Sequence, residues 1–274
     1  MIRLAVSVRG DDAGVVLAEL LELSPAGVEE RDLDGGGVEY VIYGAPGELP
    51  ELPALEAAAG DVLVDVATSE VADDWDERWK QWHKAIDVGG GARRLRVRPP
   101  WEPPAAGPDV LELVIDPGQA FGTGGHATTR LCLELLLTLE PRGAFADWGS
   151  GTGVLAIAAA KLGFTPVVAV DYDPLSVDAT RENAYVNAVE LTSDRVNLRE
   201  TPGPYAPTVC ANLLRPLLLE VAHGLERAPD HLILSGLLRE EADEVAAAFA
   251  PHGLTETERR SCAEWSALRL ERTG

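Results

Sequence analysis

The first third of the chain alternates short apolar strands with amphipathic helical segments. The predicted strands are residues 2–8, 28–31, 38–43 and 61–67, and the predicted helices are residues 12–23 and 50–59. The strands alternate apolar and polar positions, whereas the helical segments repeat apolar residues three and four positions apart. The order βαββαβ predicts a small ferredoxin-like α+β domain over residues 1–68.

The next region, residues 69–108, has the composition of a linker. Trp75, Trp79 and Trp82 share one face of a predicted helix, and such an aromatic stripe favours packing against a neighbouring domain. A glycine-rich stretch at 88–91 follows, then a short strand and a proline-rich stretch. We expect a linker helix and an entry region here, between two domains.

From residue 109 to residue 274 the pattern becomes an alternation of buried strands and helices. A strand at 110–116 and a glycine-rich loop lead to a helix at 127–140. Nearly all-apolar strands then begin at 145, 167, 195, 208 and 231, and most are separated by helices, at 153–162, 174–188, 215–227 and 238–250. This alternation predicts a parallel sheet covered by helices on both faces. The tail, 254–260 and 265–270, has two strands without a helix between them and predicts an antiparallel hairpin at the sheet edge.

Three glycines, Gly149, Gly151 and Gly153, follow the first strand of this sheet at the point where a helix begins. Glycines let a ligand approach the backbone, and the helix N-terminus favours an anionic group such as a carboxylate. Asp171 ends the next strand, where a carboxylate can accept both hydroxyls of a ribose. The pattern fits either a nicotinamide dinucleotide or S-adenosylmethionine, and the two-strand tail favours the methyl donor.

The segment 116–133, DPGQAFGTGGHATTRLCL, closely resembles the signature of the bacterial methyltransferases that modify large-subunit ribosomal protein L11. The likeness continues through most of residues 75–270, including DWGSGTGVLAIAAAKLG and the ending EWSALRL. The resemblance implies an α/β class I methyltransferase fold, a Rossmann-like seven-stranded sheet with its last strand antiparallel, over 109–274. It also implies that the N-terminal domain recognises the ribosomal protein, whose lysine ε-amines, and in some members an N-terminal amine, are methylated.

The resemblance also assigns site residues to this chain. The residues implied to contact S-adenosylmethionine are Thr129, Gly149, Asp171 and Asn212, and the loop implied to cover the methionine end and approach the amine contains Phe121, Thr123, Gly124 and His126. To the cofactor contacts we add Gly151, Thr123 and Gly124, and we expect Phe121, His126 and Asn212 at the reacting end. Two of them have plainer interpretations, since His126 could simply cap the following helix and Thr129 could serve only as a helix-start residue. No metal is expected.

Methyl transfer to an amine is an in-line displacement at a carbon that positive sulfur already activates. Such a reaction needs a neutral, well-positioned amine more than it needs acid–base groups. Desolvation at a covered mouth would lower the pKa of a lysine, and an oxygen at Asn212 would orient it. Arg215, at a position where the family commonly has a small residue, is a bulky cation expected near the approach of the amine.

The net charge of −22 is unevenly distributed. Residues 1–87 contain 20 acidic and 6 basic residues, and residues 88–274 contain 25 and 17. Such a surface repels nucleic acid and attracts a basic protein such as the ribosomal one, although acidity kept for solubility is the plainer interpretation. The three separated cysteines, Cys132, Cys210 and Cys262, fit reduced, buried thiols. Without a predicted signal peptide or membrane span, we expect a cytoplasmic monomer.

Three other functions compete with this hypothesis. Relatives of the catalytic domain modify other proteins, so a different lysine-bearing substrate is possible. An adenine methyltransferase is disfavoured because the sequence that starts at Asn212, NLLR, lacks the proline and aromatic residues that clamp a flipped base. A non-catalytic module that only binds the cofactor is the third.

Overall fold

The structure, a computed structural model, describes residues 2–9, 16, 29–33, 37–44, 63–70, 84–90, 93–104, 107, 110–116 and 125–273. The chain divides into two compact units, residues 1–81 and residues 82–274. The finer predicted division, with a linker over 69–108, stays a prediction. The tryptophans of the predicted linker helix lie outside the described residues.

The first unit contains a four-stranded antiparallel sheet. Its strands are β1 (Ile2–Arg9), β2 (Glu29–Leu33), β3 (Gly37–Gly44) and β4 (Leu63–Glu70). They lie in the order β2-β3-β1-β4, and each neighbouring pair is antiparallel. This is the strand order that the ferredoxin-like βαββαβ prediction requires, and for the strands the prediction is confirmed. The predicted helices 12–23 and 50–59 lie outside the described residues, except for Val16, which is helical and buried.

The second unit begins with a three-stranded sheet of β5 (Ile86–Gly90), β6 (Arg93–Arg98) and β7 (Val110–Val114). β5 is antiparallel and β7 parallel to the central β6. Residues 88–90 of the glycine-rich stretch, which is predicted to belong to a linker or entry region, therefore lie in a strand. Gly89 has a φ of 84°, and a Cβ there would lie 2.6 Å from both the Arg93 carbonyl oxygen and Leu137 Cδ1. Glycine at this position therefore permits close packing within the strand.

The larger sheet of this unit has seven strands. They are β8 (Phe145–Trp148), β9 (Val167–Asp171), β10 (Thr192–Arg195), β11 (Thr208–Asn212), β12 (His231–Leu238), β13 (Leu254–Cys262) and β14 (Trp265–Arg272). Their order is β10-β9-β8-β11-β12-β14-β13. The strands from β10 to β12 are parallel, and β14 runs antiparallel between β12 and β13. The predicted sheet, with its antiparallel last strand, is confirmed.

Five α-helices are described in this unit. They are α1 (Ala127–Leu136), α2 (Val154–Leu162), α3 (Pro174–Val186), α4 (Arg215–His223) and α5 (Ala242–Phe249), with 3-10 turns at 239–241 and 250–252. Helix α2 ends at its predicted C-terminus, and the other four α-helices end before theirs. The strand predicted to begin at Arg195 ends there instead, because the apolar Val196 and Leu198 pack against a core cluster from a loop rather than from a strand.

The parallel strands β8, β9, β11 and β12 are buried on both faces, whereas the edge strand β10 is mostly exposed. One core cluster contains α1 and α2 side chains with Phe145 and Cys210, and the other contains α4 and α5 side chains with Trp148 and Val209. Successive residues of β8 therefore enter opposite cores, as the side-chain period of a strand requires. The carboxyl ends of the parallel strands lie at one edge of the sheet, and the predicted site residues Gly149, Asp171 and Asn212 lie there.

Candidate functional site

The turn after β8, residues 149–153, here called the glycine loop, has a backbone that requires glycine. Gly149, Gly151 and Gly153 have φ values of 82°, 53° and 80°, which L side chains rarely adopt. A Cβ on Gly149 would lie 2.3 Å from Leu213 Cδ2, and one on Gly153 would lie 2.8 Å from Thr180 Cγ2. Gly153 is thus needed for conformation and space together, whereas at Gly149 the conformation is the stronger requirement, because the end of the Leu213 side chain can move.

Asp171 holds the glycine loop to the neighbouring strand. Its Oδ2 atom accepts a hydrogen bond from the Gly151 N–H at 2.9 Å, and its Oδ1 accepts one from the Asp173 N–H at 3.1 Å. The carboxylate is buried at the end of β9. Since a carboxylate offers about four lone-pair sites, both oxygens keep capacity for a ligand's hydroxyl groups.

Asn212 and Thr129 lie together although 83 residues separate them. The Asn212 Nδ2 atom donates to Thr129 Oγ1 at 3.4 Å, a long hydrogen bond. Asn212 ends β11, next to the strand that leads into the glycine loop, and Thr129 is fully buried in the first turn of α1. Four predicted cofactor residues, Thr129, Gly149, Asp171 and Asn212, therefore lie around one edge of the sheet.

His126 caps α1, as the plainer interpretation expects. Its Nδ1 atom accepts from the Thr128 N–H at 3.4 Å and lies 2.8 Å from Thr128 Oγ1. The imidazole also meets the indole of Trp265 edge to face, with 5.0 Å between ring centroids. The contact with Trp265 places the start of β14 beside His126. Capping and a role at the reacting end are compatible, because the cap uses only Nδ1 of the ring.

Three predicted residues, Phe121, Thr123 and Gly124, lie outside the described residues. Their assignment to the cofactor and the reacting end stays a prediction.

Arg215 does not stand alone beside the site. Its guanidinium forms two hydrogen bonds with the Glu244 carboxylate of α5, at 2.6 Å and 2.8 Å. This pairing raises the pKa of Arg215 and lowers that of Glu244. The pair explains how a bulky cation is accommodated after Asn212, since a carboxylate holds it against the neighbouring helix.

Asp147, in the strand before the glycine loop, is fully buried. Its Oδ2 atom accepts from the Ala156 N–H of α2 at 3.1 Å, while Oδ1 has no hydrogen-bond partner among the described residues. Desolvation raises the pKa of the carboxyl from 3.8 to about 7; the Ala156 hydrogen bond opposes the rise and the charge of Asp171 adds to it. Sequence reasoning missed the burial of Asp147. The available signal was the position of this residue in a strand that is otherwise apolar.

Helix α3 holds the glycine loop from behind, a role that sequence reasoning missed. Thr180 Oγ1 donates to the Gly151 carbonyl at 3.0 Å, and Asn183 Nδ2 donates to the Thr152 carbonyl at 3.0 Å. Both side chains are buried. The signal in the sequence was a set of polar residues at helical spacing on the core-facing side of α3, because buried polar groups need partners.

Comparison with known proteins places this arrangement in a family. The family model described as "Ribosomal protein L11 methyltransferase (PrmA)" matches residues 52–273, most of the chain. This chain belongs to the ribosomal protein L11 methyltransferase family. The family predicted from the signature segment is confirmed.

Individual relatives agree with the family match. The chain is 41% identical over 210 residues to the ribosomal protein L11 methyltransferase of Pelobacter propionicus, covering 72% of this chain and 66% of that protein. It is 34% identical over 280 residues to that of Myxococcus xanthus, covering 96% of both. The chain thus spans slightly less than two thirds of the first relative and nearly all of the second.

A solved structure supports the fold. The ribosomal protein L11 methylase of Lactobacillus delbrueckii subsp. bulgaricus is similar with a TM-score of 0.61 and 26% sequence identity, over 69% of this chain and 99% of that one. Among the described helices none is long and apolar enough to cross a bilayer. In the same part of the chain, no group of three or more histidine, cysteine or acidic side chains is arranged to hold a metal ion.

Proposed function

We propose that this chain transfers methyl groups from S-adenosylmethionine to lysine side chains of large-subunit ribosomal protein L11. The observation that carries the proposal is the hydrogen bond between Gly151 N–H and Asp171 Oδ2, at 2.9 Å, in a chain of this family. It brings a glycine-rich anion site and a ribose acceptor to one place.

The residues present fit the cofactor. The Asp171 carboxylate keeps lone pairs for two ribose hydroxyls, and the side-chain-free glycine loop leads into α2, whose N-terminus suits the methionine carboxylate. Thr129 and Asn212 flank the same edge, joined only by a long contact of 3.4 Å. When bound, S-adenosylmethionine supplies an electrophilic methyl group on positive sulfur.

The protein's contribution to the reaction is positioning. Among the described residues no hydrogen bond is donated to Asn212 Oδ1, so this oxygen is available to accept from the incoming amine and to direct its lone pair. Burial of the amine favours its neutral, nucleophilic form because desolvation disfavours the ammonium ion. His126, held by Thr128 and Trp265, lines the approach on the α1 side.

The acidic chain suits a basic substrate. With a net charge of −22, it attracts a lysine-rich ribosomal protein over the screening distance of the buffer. A protein of this kind works in the cytoplasm, where ribosomes assemble. We propose that residues 1–68 recognise the ribosomal protein, and that Phe121, Thr123 and Gly124 cover the methionine end.

Mass spectrometry of purified ribosomal protein L11 tests the proposal. After incubation with the enzyme and S-adenosylmethionine, we expect mass gains in steps of one methylene group, located on lysines by peptide mapping. Asp171→Ala is expected to abolish the gains, whereas Asp194→Ala, which changes an exposed carboxylate on the edge strand β10, is expected to leave them.

Two results would contradict the proposal in different ways. If the chain binds S-adenosylhomocysteine in calorimetry but leaves ribosomal protein L11 unmodified, the proposed substrate is wrong and the proposed cofactor stands. A chain that binds neither the cofactor nor its product is not a methyltransferase.

A further inference from the structure

One buried face of α3 carries two asparagines one turn apart, Asn183 and Asn187. Asn183 Oδ1 accepts from the Asp116 N–H at 2.9 Å, and its Nδ2 donates to the Thr152 carbonyl at 3.0 Å. The side chain therefore joins two backbone segments, the residue before the glycine-rich segment 117–124 and the glycine loop. Only 3% of Asn183 is exposed, so water does not substitute for these partners.

Asn187 completes the same edge one turn further along. Its Oδ1 accepts from the Val114 N–H at 2.9 Å, and its Nδ2 donates to the Val114 carbonyl at 2.6 Å and to the Asn183 carbonyl at 2.8 Å. The side-chain amide thus pairs with both backbone groups of one strand residue, as a neighbouring strand would.

The asparagines satisfy the outer edge of β7. On the inner side, this segment pairs with β6, and the Ile115 N–H donates to the Arg98 carbonyl at 2.9 Å. In an extended segment the backbone groups of alternate residues point to opposite sides, so Val114 and Asp116 present theirs outward. On this outer side α3 supplies hydrogen-bond partners for both residues, at sites that are partly buried.

Asparagine suits position 183 because the site needs a donor and an acceptor on one short side chain. Aspartate has the same shape but, when ionised, only accepts, and it would set a carboxylate oxygen against the Thr152 carbonyl. Leucine has similar volume and offers neither group. The position is thus chemically specified, although its side chain does not enter the cofactor site.

We propose that Asn183 is a positioning residue, which fixes the Thr152 carbonyl of the glycine loop relative to Asp116 and thereby supports the cofactor site on the side of the glycine loop. The inference rests on the proposed function. Asn187 supports β7 through Val114 and, as the hydrogen bonds show, makes no bond to the glycine loop within the described part of the chain. The two positions therefore separate cofactor-site geometry from strand stability.

The test compares Asn183→Asp with Asn187→Asp, which place the same change on the same helix face. Calorimetry measures the Kd for S-adenosylhomocysteine, steady-state kinetics give KM for S-adenosylmethionine and kcat, and thermal unfolding gives Tm. Loss of the Thr152 bond is expected to weaken product binding and raise this KM about tenfold, because one buried hydrogen bond corresponds to roughly that factor. Asn187→Asp is expected to lower Tm about as much as Asn183→Asp does, but to change Kd and KM by less than about twofold.

A second pair, Asn183→Leu and Asn187→Leu, removes the polar groups without adding charge and serves where the aspartates fail to fold. Equal effects of the two positions on Kd in both pairs would overturn the inference and leave Asn183 a purely structural residue. The Kd does not depend on the protein substrate. A wild-type chain that binds S-adenosylhomocysteine without methylating ribosomal protein L11 would therefore refute the proposed function. The difference in Kd between the variants at position 183 and those at position 187 would still decide this inference.

Discussion

Replacing Asp147 by asparagine tests the electrostatics beneath the glycine loop. The folded chain holds this carboxyl at a pKa of about 7, against 3.8 ordinarily, chiefly because it is fully buried. The charged form is therefore disfavoured by folding. The unfolded chain loses its proton above pH 3.8, so folding stability falls as the pH rises from about 4 and stops falling above about pH 7.

The magnitude follows from the two pKa values. Between them, each pH unit removes about 1.4 kcal/mol of stability through this group, so the loss from pH 5 to pH 8 is about 3 kcal/mol. Asparagine has no charge to bury and keeps an oxygen to accept from the Ala156 N–H. Its amide nitrogen near the former Oδ1 position adds a constant cost of about 1–3 kcal/mol if unpaired, and this cost does not vary with pH.

The observable is therefore the change of the mutational effect with pH. Urea unfolding of wild type and Asp147→Asn is followed at several pH values between 5 and 8, with the buried neighbour Trp148 as one fluorescent reporter. We expect the stability of the variant relative to wild type to rise by about 3 kcal/mol across this range. Asp194→Asn, an exposed carboxylate of β10, is the control and should show little change. Parallel pH profiles for wild type and Asp147→Asn would refute the reasoning.

Three further predictions concern the site itself. Gly153→Ala sets a Cβ 2.8 Å from Thr180 Cγ2 at a φ of 80°; we expect a loss of at least about 1–2 kcal/mol in urea unfolding and weaker S-adenosylhomocysteine binding in calorimetry. Asp171→Asn removes the charge that we propose receives the ribose, and it should weaken that binding at least about tenfold. Trp265→Leu removes the ring edge beside His126, and we expect kcat for ribosomal protein L11 to fall while cofactor affinity holds.

Each of these predictions has its own control or contrary result. Gly143 also has a positive φ, 69°, but a Cβ there would meet only Pro207 Cγ at 3.9 Å. Gly143→Ala therefore reports backbone strain without the clash, and an equal effect at both glycines would remove the steric argument. Unchanged affinity in Asp171→Asn would exclude this carboxylate from the ribose site. A Trp265→Leu enzyme with normal kcat would confine that ring to packing.

The strand and helix pattern of the larger unit was predictable because periodicity is local. Nearly all-apolar strands such as β9 and β11 predict a sheet that is buried on both faces, and the tail without a helix predicts the antiparallel β14. The strand at Val88–Gly90 was not predicted, because the glycine composition there indicated a linker or entry region. Close packing against Leu137, which lies far along the chain, decides that conformation.

The candidate site divides in the same way. The glycine loop and Asp171 were visible because each follows a recognisable strand, and the signature segment identified the family. Their coupling through the Gly151 N–H was not visible, nor was the hydrogen bond between Asn212 and Thr129. Neither hydrogen bond can be predicted from local sequence, because each joins residues that are far apart along the chain.

The sequence by itself determined the order of elements, the parallel sheet with its antiparallel end and the family. Local spacing of apolar residues and glycines encodes them. Only the tertiary structure decided that Asn183 joins Asp116 to Thr152, positions 67 and 31 residues away, and that the burial of Asp147 raises its pKa. These properties depend on which distant polar groups lose water together, and that is settled by packing rather than by neighbours along the chain.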